Sequence, residues 1–139
     1  MRIMAVDYGD ARTGVAVSDA SATLSGEAWV LREKNQEAAA GEIAAEALKR
    51  DVSLIVVGHP KNMNGTAGPR AEISESLAEM LRAKCDIEVI LWDERMTTIS
   101  ANRILTDTGR FGKKRKDTVD AVAASLILDS YLSYHNRSK

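Results

Sequence analysis

An α/β fold with a five-stranded mixed sheet, three antiparallel strands followed by two parallel ones and flanked by helices, is what this sequence predicts. Three observations predict it. Short apolar runs recur at 3–6, 13–17, 27–31, 54–57 and 87–92. The first three follow one another with only turns between them, as in an antiparallel meander. The last two are separated and followed by stretches of helical periodicity, as in parallel αβ units.

The first pair of runs lies in the stretch IMAVDYGDARTGVAVSD, from Ile3 to Asp19. Its Gly- and Asp-containing turn makes it a hairpin, with Asp7 at the carboxyl end of the first strand. Gly9 and Gly14 suit positive φ or close backbone approach. EAWVL at 27–31 is a third strand. Residues 36–50 follow as a helix, with Ala40, Ile43, Ala44, Ala47 and Leu48 as its apolar face. LIVV at 54–57 reads as a strand buried on both faces and closed by Gly58, His59 and Pro60. KNMNGTAGP at 61–69 is turn-rich and falls at the carboxyl edge of the sheet, where open α/β sheets bind ligands.

A second helix is expected over 70–84, with Ile73, Leu77, Met80 and Leu81 inward. IEVILW at 87–92 is the fifth strand, followed by Asp93 and Glu94. A short helix capped by Thr97 or Thr98 extends to about Thr106. Residues 107–116 read as a basic loop broken by Gly109 and Gly112. The last helix is expected from Asp117 to about Tyr134 on a stripe of Val119, Val122, Ala123, Leu126 and Ile127, with a frayed tail after His135. The order βββαβαβα, with a short helix before the last, is that of the ribonuclease H-like fold.

The 139 residues suit one domain over 1–139. A composition of 45% hydrophobic and 28% charged residues is that of a globular protein. No apolar run reaches the ~18 residues of a membrane span, and MRIMAV runs straight into Asp7, unlike a signal peptide. The expectation is a cytoplasmic protein without a membrane partner. One cysteine, Cys85, excludes an internal disulfide and reads as structural. With only two histidines beside it, a zinc site is excluded in practice. Trp29 and Trp92 lie in strands and are expected in the core.

Net charge is −1, yet Arg110, Lys113, Lys114, Arg115 and Lys116 fall in seven residues without an acid. Setting those five aside leaves 14 of the 19 basic residues against 20 acidic ones, so the positive charge is local. Such a patch suits a polyanion, although a solvated loop has the same composition.

Three sets of acids stand where they could converge. Asp7 closes the first strand, Glu94 follows the fifth, and Asp117 and Asp120 lie three apart at the start of the last helix. A helix start favours acids by itself, which accounts for Asp117 without any ligand. Asp120, between Val119 and Ala121, has no such local role and calls for a cation or a metal. Two-metal hydrolysis of phosphodiesters uses such a set, with two Mg²⁺ or Mn²⁺ ions ~3.5–4 Å apart. Oxygen ligands suffice for it. Arg12 and Arg95 lie in the acid-bearing turns and either bind phosphate or neutralise Asp10 and Asp93. His59 before Pro60 reads first as a turn residue.

Four motifs in order resemble the YqgF/RuvX family, the Holliday junction resolvases also implicated in ribosomal RNA maturation. DYGDARTGVAVSD resembles its opening DxGxxRxGVAxSD, VVGHPKNMNGTAGP its VGxPxxxxGxxxP, DERMTT its DERxTT, and KDTVDAVAASLIL its closing KxxxDxxAAxxIL. The resemblance covers nearly the whole chain. It implies a ribonuclease H-like fold and metal-dependent cleavage of nucleic acid, with Asp7, Glu94 and Asp120 as catalytic metal ligands of Mg²⁺ or Mn²⁺. Asp117 is a further candidate ligand without the same warrant. Gly58, Pro60, Asn62, Gly65 and Thr66 match the family's substrate loop, and Lys116 its basic residue before the last helix. Asp10 and Ala11 depart from the family's usual small residue and lysine, which weakens an expected phosphate contact.

The expected partner is nucleic acid, pre-rRNA or branched DNA, gripped through Arg12, Asn62, Arg95, Lys113, Lys114, Arg115 and Lys116. The expected role is processing of the 5′ end of pre-16S rRNA, resolution of Holliday junctions, or both. A non-catalytic nucleic-acid-binding ribosome-assembly factor on the same fold is the alternative. An ATPase reading, from the likeness of DxGxxxxGVA to the actin-like phosphate loop, would need two such domains. Monomer and homodimer both remain open.

Overall fold

The computed structural model describes residues 1–9, 12–23, 25–60, 68–93 and 112–137, with the backbone alone over 112–120. Five strands form one sheet: β1 (Arg2–Tyr8), β2 (Thr13–Ser18), β3 (Ser25–Leu31), β4 (Val52–His59) and β5 (Glu88–Asp93). Their order is β3-β2-β1-β4-β5. β1 pairs antiparallel with β2 and parallel with β4. β2–β3 is antiparallel and β4–β5 parallel. This is the expected mixed sheet, with β1 at its centre.

Among the described residues, three helices cover the sheet: α1 (Gln36–Lys49), α2 (Pro69–Lys84) and α3 (Gly112–Arg137). Asn35 caps α1 by accepting the Ala38 N–H at 2.9 Å. Pro69 opens α2, where its missing N–H costs nothing. The central strands separate two cores. Met4, Val6, Val15, Ile55, Val57 and Val89 face α1 and α2, meeting Ile43, Leu77 and Leu81. Ile3, Ala5, Ala16, Leu54 and Val56 face α3, meeting Ala124, Ile127, Leu128 and Leu132. Among the described residues no helix is long and apolar enough to cross a membrane.

Several boundaries differ from the sequence reading. β4 continues through Gly58 and His59, which stay in register with Trp92 and Asp93. The strand stops only where Pro60 removes the backbone donor. Leu48 is 59% exposed and Ile73 38% exposed. Ala40, Ile43, Ala44, Ala47, Leu77 and Leu81 are buried as expected, and small residues complete the inner faces: Ala39 on α1, and Ala71, Ser74 and Ala78 on α2. Residues 112–116, read as a loop, are the first turns of α3. Gly112 sits at the helix start, where a glycine breaks nothing, and lysine and arginine are good helix formers. The buried stripe of α3 is Ala124, Ile127, Leu128, Tyr131 and Leu132, displaced from the expected one, and Val122, Ala123 and Leu126 are half-buried. The helix runs on past His135 to Arg137. Neither tryptophan is fully buried. The short helix expected before residue 106 lies outside the described residues.

Arg50 joins the end of α1 to edge strand β3. Its guanidinium lies 4.3 Å from the Trp29 ring centroid, donates to Glu46 at 2.9 Å and meets Glu27 at 2.5 Å. The hydrogen bond from Arg50 is the main reason the Glu46 carboxyl is held below its ordinary value. A depressed carboxylate adds stability above its unfolded pKa, and this is lost as pH falls through the folded value. Arg50→Ala is therefore expected to lower Tm at neutral pH, by roughly 3–6 °C for the ~1 kcal/mol of the lost cation–π stack. The further part owed to the Glu46 pair should be lost as pH falls below the ordinary glutamate range, as read by circular dichroism melts across pH.

Candidate active site

Strand alternation sorts the polar residues at the carboxyl edge of the sheet. On β1, Ile3 and Ala5 face α3, so the period of two carries Asp7 to the same side. Asp7 is half-buried and pairs in register with Gly14. The cross-strand position beside its carboxylate therefore holds no side chain. Gly9 closes the hairpin, and a Cβ there would stand 2.5 Å from the Arg12 carbonyl oxygen. Close approach, not a positive φ, is what requires that glycine. Arg12 is half-buried at the entrance to β2.

β4 and β5 run parallel to β1, so His59 and Asp93 end at the same edge. Their parity is opposite. Val57 and Val89 pack toward α1 and α2, which puts His59 and Asp93 on that side, away from Asp7. His59 is 9% exposed, and its Nε2 lies 3.3 Å from Glu75 Oε2 on α2. The histidine braces the sheet to α2. Sequence alone could not assign it to a face, because the assignment rests on strand register.

α3 returns across the Asp7 face. Near its end, the Asn136 side-chain amide donates to the Ala22 carbonyl at 3.1 Å, in the β2–β3 turn. That turn lies beside the start of β1, so α3 runs antiparallel to β1 and its beginning is directed toward the edge that carries Asp7. Helix positions 120 and 117 lie one and two turns before Ala124 and share its stripe. Asp7 and the helix positions of Asp117 and Asp120 thus belong to one side of the sheet. Glu94, Arg95 and Asn62 lie outside the described residues. Among the described residues no three His, Cys, Asp or Glu side chains gather closely enough for a metal, and only Asp7 of the expected ligands has a described side chain.

Lys113, Lys114, Arg115 and Lys116 stand at the start of a 26-residue helix whose first turn holds no acid. The dipole makes that end positive, so each cation there is unfavourable by about 0.3–1 kcal/mol. Approach of a polyanion relieves the opposition. The sequence reading also missed a ring cluster of Trp92, Tyr131, Tyr134 and His135. Its available signal was Tyr131, Tyr134 and His135 at helical spacing.

The sequence model of one family, described as "RuvX: Holliday junction resolvase", matches residues 1–134. A protein of Halothermothrix orenii named "Putative pre-16S rRNA nuclease" is 44% identical over 138 residues, 99% of this chain and 98% of its own. One of the same name from Listeria monocytogenes is also 44% identical over 138 residues, 98% of this chain and all of its own. Among solved structures, T. thermophilus RuvC in complex with Holliday junction substrate aligns with a TM-score of 0.61 at 12% identity, over 97% of this chain and 96% of that one. The fowlpox virus Holliday junction resolvase aligns with a TM-score of 0.57 at 16% identity over the whole of both chains. At these identities the structures speak to the fold, which is the ribonuclease H-like one expected from the order of elements.

The cation-rich start of α3 yields a stability test. Lys114→Glu places an acid in the first turn in place of a base and is expected to raise Tm at low salt by a few degrees, for roughly 1 kcal/mol. The gain should fade in high salt. An unchanged or lower Tm at low salt would mean that the dipole does not govern that turn.

Proposed function

This chain belongs to the RuvX family of Holliday junction resolvases, and we propose that it is a metal-dependent nuclease hydrolysing phosphodiester bonds in structured nucleic acid, with the 5′ end of pre-16S rRNA as its principal substrate. Nuclease action is common to the family's description and to the names of its relatives. Those relatives are named for pre-16S rRNA, which favours that substrate, and the family description keeps branched DNA beside it.

The placement of Asp7 carries the reading. It is an acid at the end of the central strand, on the side of the sheet crossed by α3, with glycine opposite. The donor set fits a hard cation. Asp7, Glu94 and Asp120 offer carboxylate oxygen only, which suits Mg²⁺ or Mn²⁺. These three would hold the metal, with Asp117 as an additional carboxylate. When bound, the ions supply Lewis-acid polarisation of the phosphodiester and steady the charge on the leaving oxygen.

The remaining work belongs to the cations. Lys113, Lys114, Arg115 and Lys116 at the start of α3, with Arg12, Arg95 and Asn62, would hold backbone phosphates. Such contacts fix the strand's position without reading its sequence, which suits a substrate chosen by shape. His59 lies on the other side of the sheet and has no part in this step.

Cleavage of a labelled pre-16S rRNA 5′-leader and of a four-way DNA junction, in Mg²⁺, Mn²⁺ or EDTA, tests the proposal. Asp7→Asn is expected to reduce kcat by about a thousandfold or more, roughly 4 kcal/mol, while the fold and binding persist. Binding without cutting in every metal would leave the assembly-factor reading in its place. His59→Leu is expected to keep kcat within roughly threefold of the parent, since it removes only the brace to Glu75. A loss as deep as that of Asp7→Asn would place the histidine in the chemistry and overturn the assignment of faces.

A further inference from the structure

Aromatic side chains are scarce in this chain, at 4% of residues, and three of them meet in one place. Trp92 on β5 lies edge-on to Tyr131 of α3, with centroids 5.3 Å apart and planes at 86°. Tyr134 leans on both, 5.3 Å from Trp92 and 6.0 Å from Tyr131. His135 stacks on Tyr131 at 6.0 Å and 23°. The Trp92 indole N–H donates to Ser130 Oγ at 3.1 Å, which fixes the ring. Tyr131 is 9% exposed and serves as the floor, whereas Tyr134 is 50% exposed.

Sealing an edge strand against a helix needs apolar area, and aliphatic residues do that elsewhere on the α3 side of the sheet. A tyrosine held on two fixed rings and still half in water is a different arrangement. It offers a rigid π-face at little entropic cost. Trp92 directly precedes Asp93 and faces α3, the side on which Asp7 lies. Tyr134 lies 14 helix positions after the one at 120, about 21 Å along α3 and away from the edge that carries Asp7. That is the length of roughly six nucleotides at ~3.4 Å each.

We propose that Trp92 and Tyr134 form a stacking platform for unpaired bases of a single-stranded segment flanking the cleavage site, with Tyr134 as the contact residue. The proposal rests on the nuclease reading and gives its substrate a required feature: a single-stranded flank of about six or more nucleotides. Stacking accepts any base, so the platform selects strandedness and not sequence. Sugar identity does not enter either, and RNA and DNA flanks are both received.

Binding to Asp7→Asn protein, measured by fluorescence anisotropy, tests the platform. The probes are one duplex, blunt or carrying an oligoadenylate flank of about ten nucleotides, each as RNA and as DNA. Tyr134→Ala is expected to weaken binding of the flanked duplex by five- to fiftyfold and to leave the blunt one within twofold. Tyr134→Phe retains the π-face and should bind like the parent, whereas Tyr134→Leu, which keeps apolar packing without it, should behave like the alanine variant. Flanked-duplex binding unchanged in Tyr134→Ala, equal losses for flanked and blunt duplexes, or rescue by leucine would each overturn the platform. A flank effect confined to RNA or to DNA would overturn its indifference to the sugar. In otherwise wild-type protein, loss of cleavage in Asp7→Asn beside an unaffected Tyr134→Ala would retain the nuclease and reject only the platform.

Discussion

The structure depends on the burial of β1 on both faces. Four consecutive residues from Ile3 to Val6 are inaccessible to water, two on each side of the sheet. A strand in that position has no latitude in register, because a slip of one residue would exchange the two faces. Asp7 would then enter the core among Val57 and Leu77, at a cost of several kcal/mol for an unpaired polar group. Local bonds reinforce the register: Ser18 Oγ accepts the Ile3 N–H at 2.9 Å, and the amino terminus reaches the Ala20 carbonyl. The position of the acid therefore follows from the packing of aliphatic side chains two and four residues before it.

The same parity divides the carboxyl edge into two sides. Asp7 shares one with α3, while His59, Asp93 and Glu75 share the other with α2. The division separates the histidine–carboxylate contact that braces the scaffold from the carboxylates proposed for chemistry. Groups of one edge that look equivalent in sequence thus differ by the thickness of the sheet.

The strands were legible because β-branched runs bounded by turn residues have few other solutions, and the parallel and antiparallel pairings followed from connection lengths. The inner faces of α1 and α2 were legible in Ile43, Leu77 and Leu81 but less so where alanine and serine complete them, whose pattern barely departs from that of an exposed helix. Leu48 and Ile73 therefore attracted an assignment that Ala39 and Ser74 hold in the structure. The start of α3 was misread for another reason: a cation run after glycine has the composition of a loop and the propensity of a helix, and only tertiary context separates them. Of the candidate site, Asp7 at a strand end was legible from sequence. The sidedness of His59 was not, since it requires the register of β4 against both neighbours.

α3 links these features by its length. Its 26 residues span about 39 Å, against about 23 Å for the seven residues of β1. Among the residues whose side chains are described, its fully buried contacts run from Ala124 to Leu132. The helix backbone continues for twelve residues ahead of Ala124, toward the edge that carries Asp7. A segment rich in cations, set against its own helix dipole, is a poor way to stabilise a free protein. It becomes favourable once phosphates occupy that end, so the electrostatic opposition in the first turns fits the polyanionic substrate proposed for the Asp7 side of the sheet.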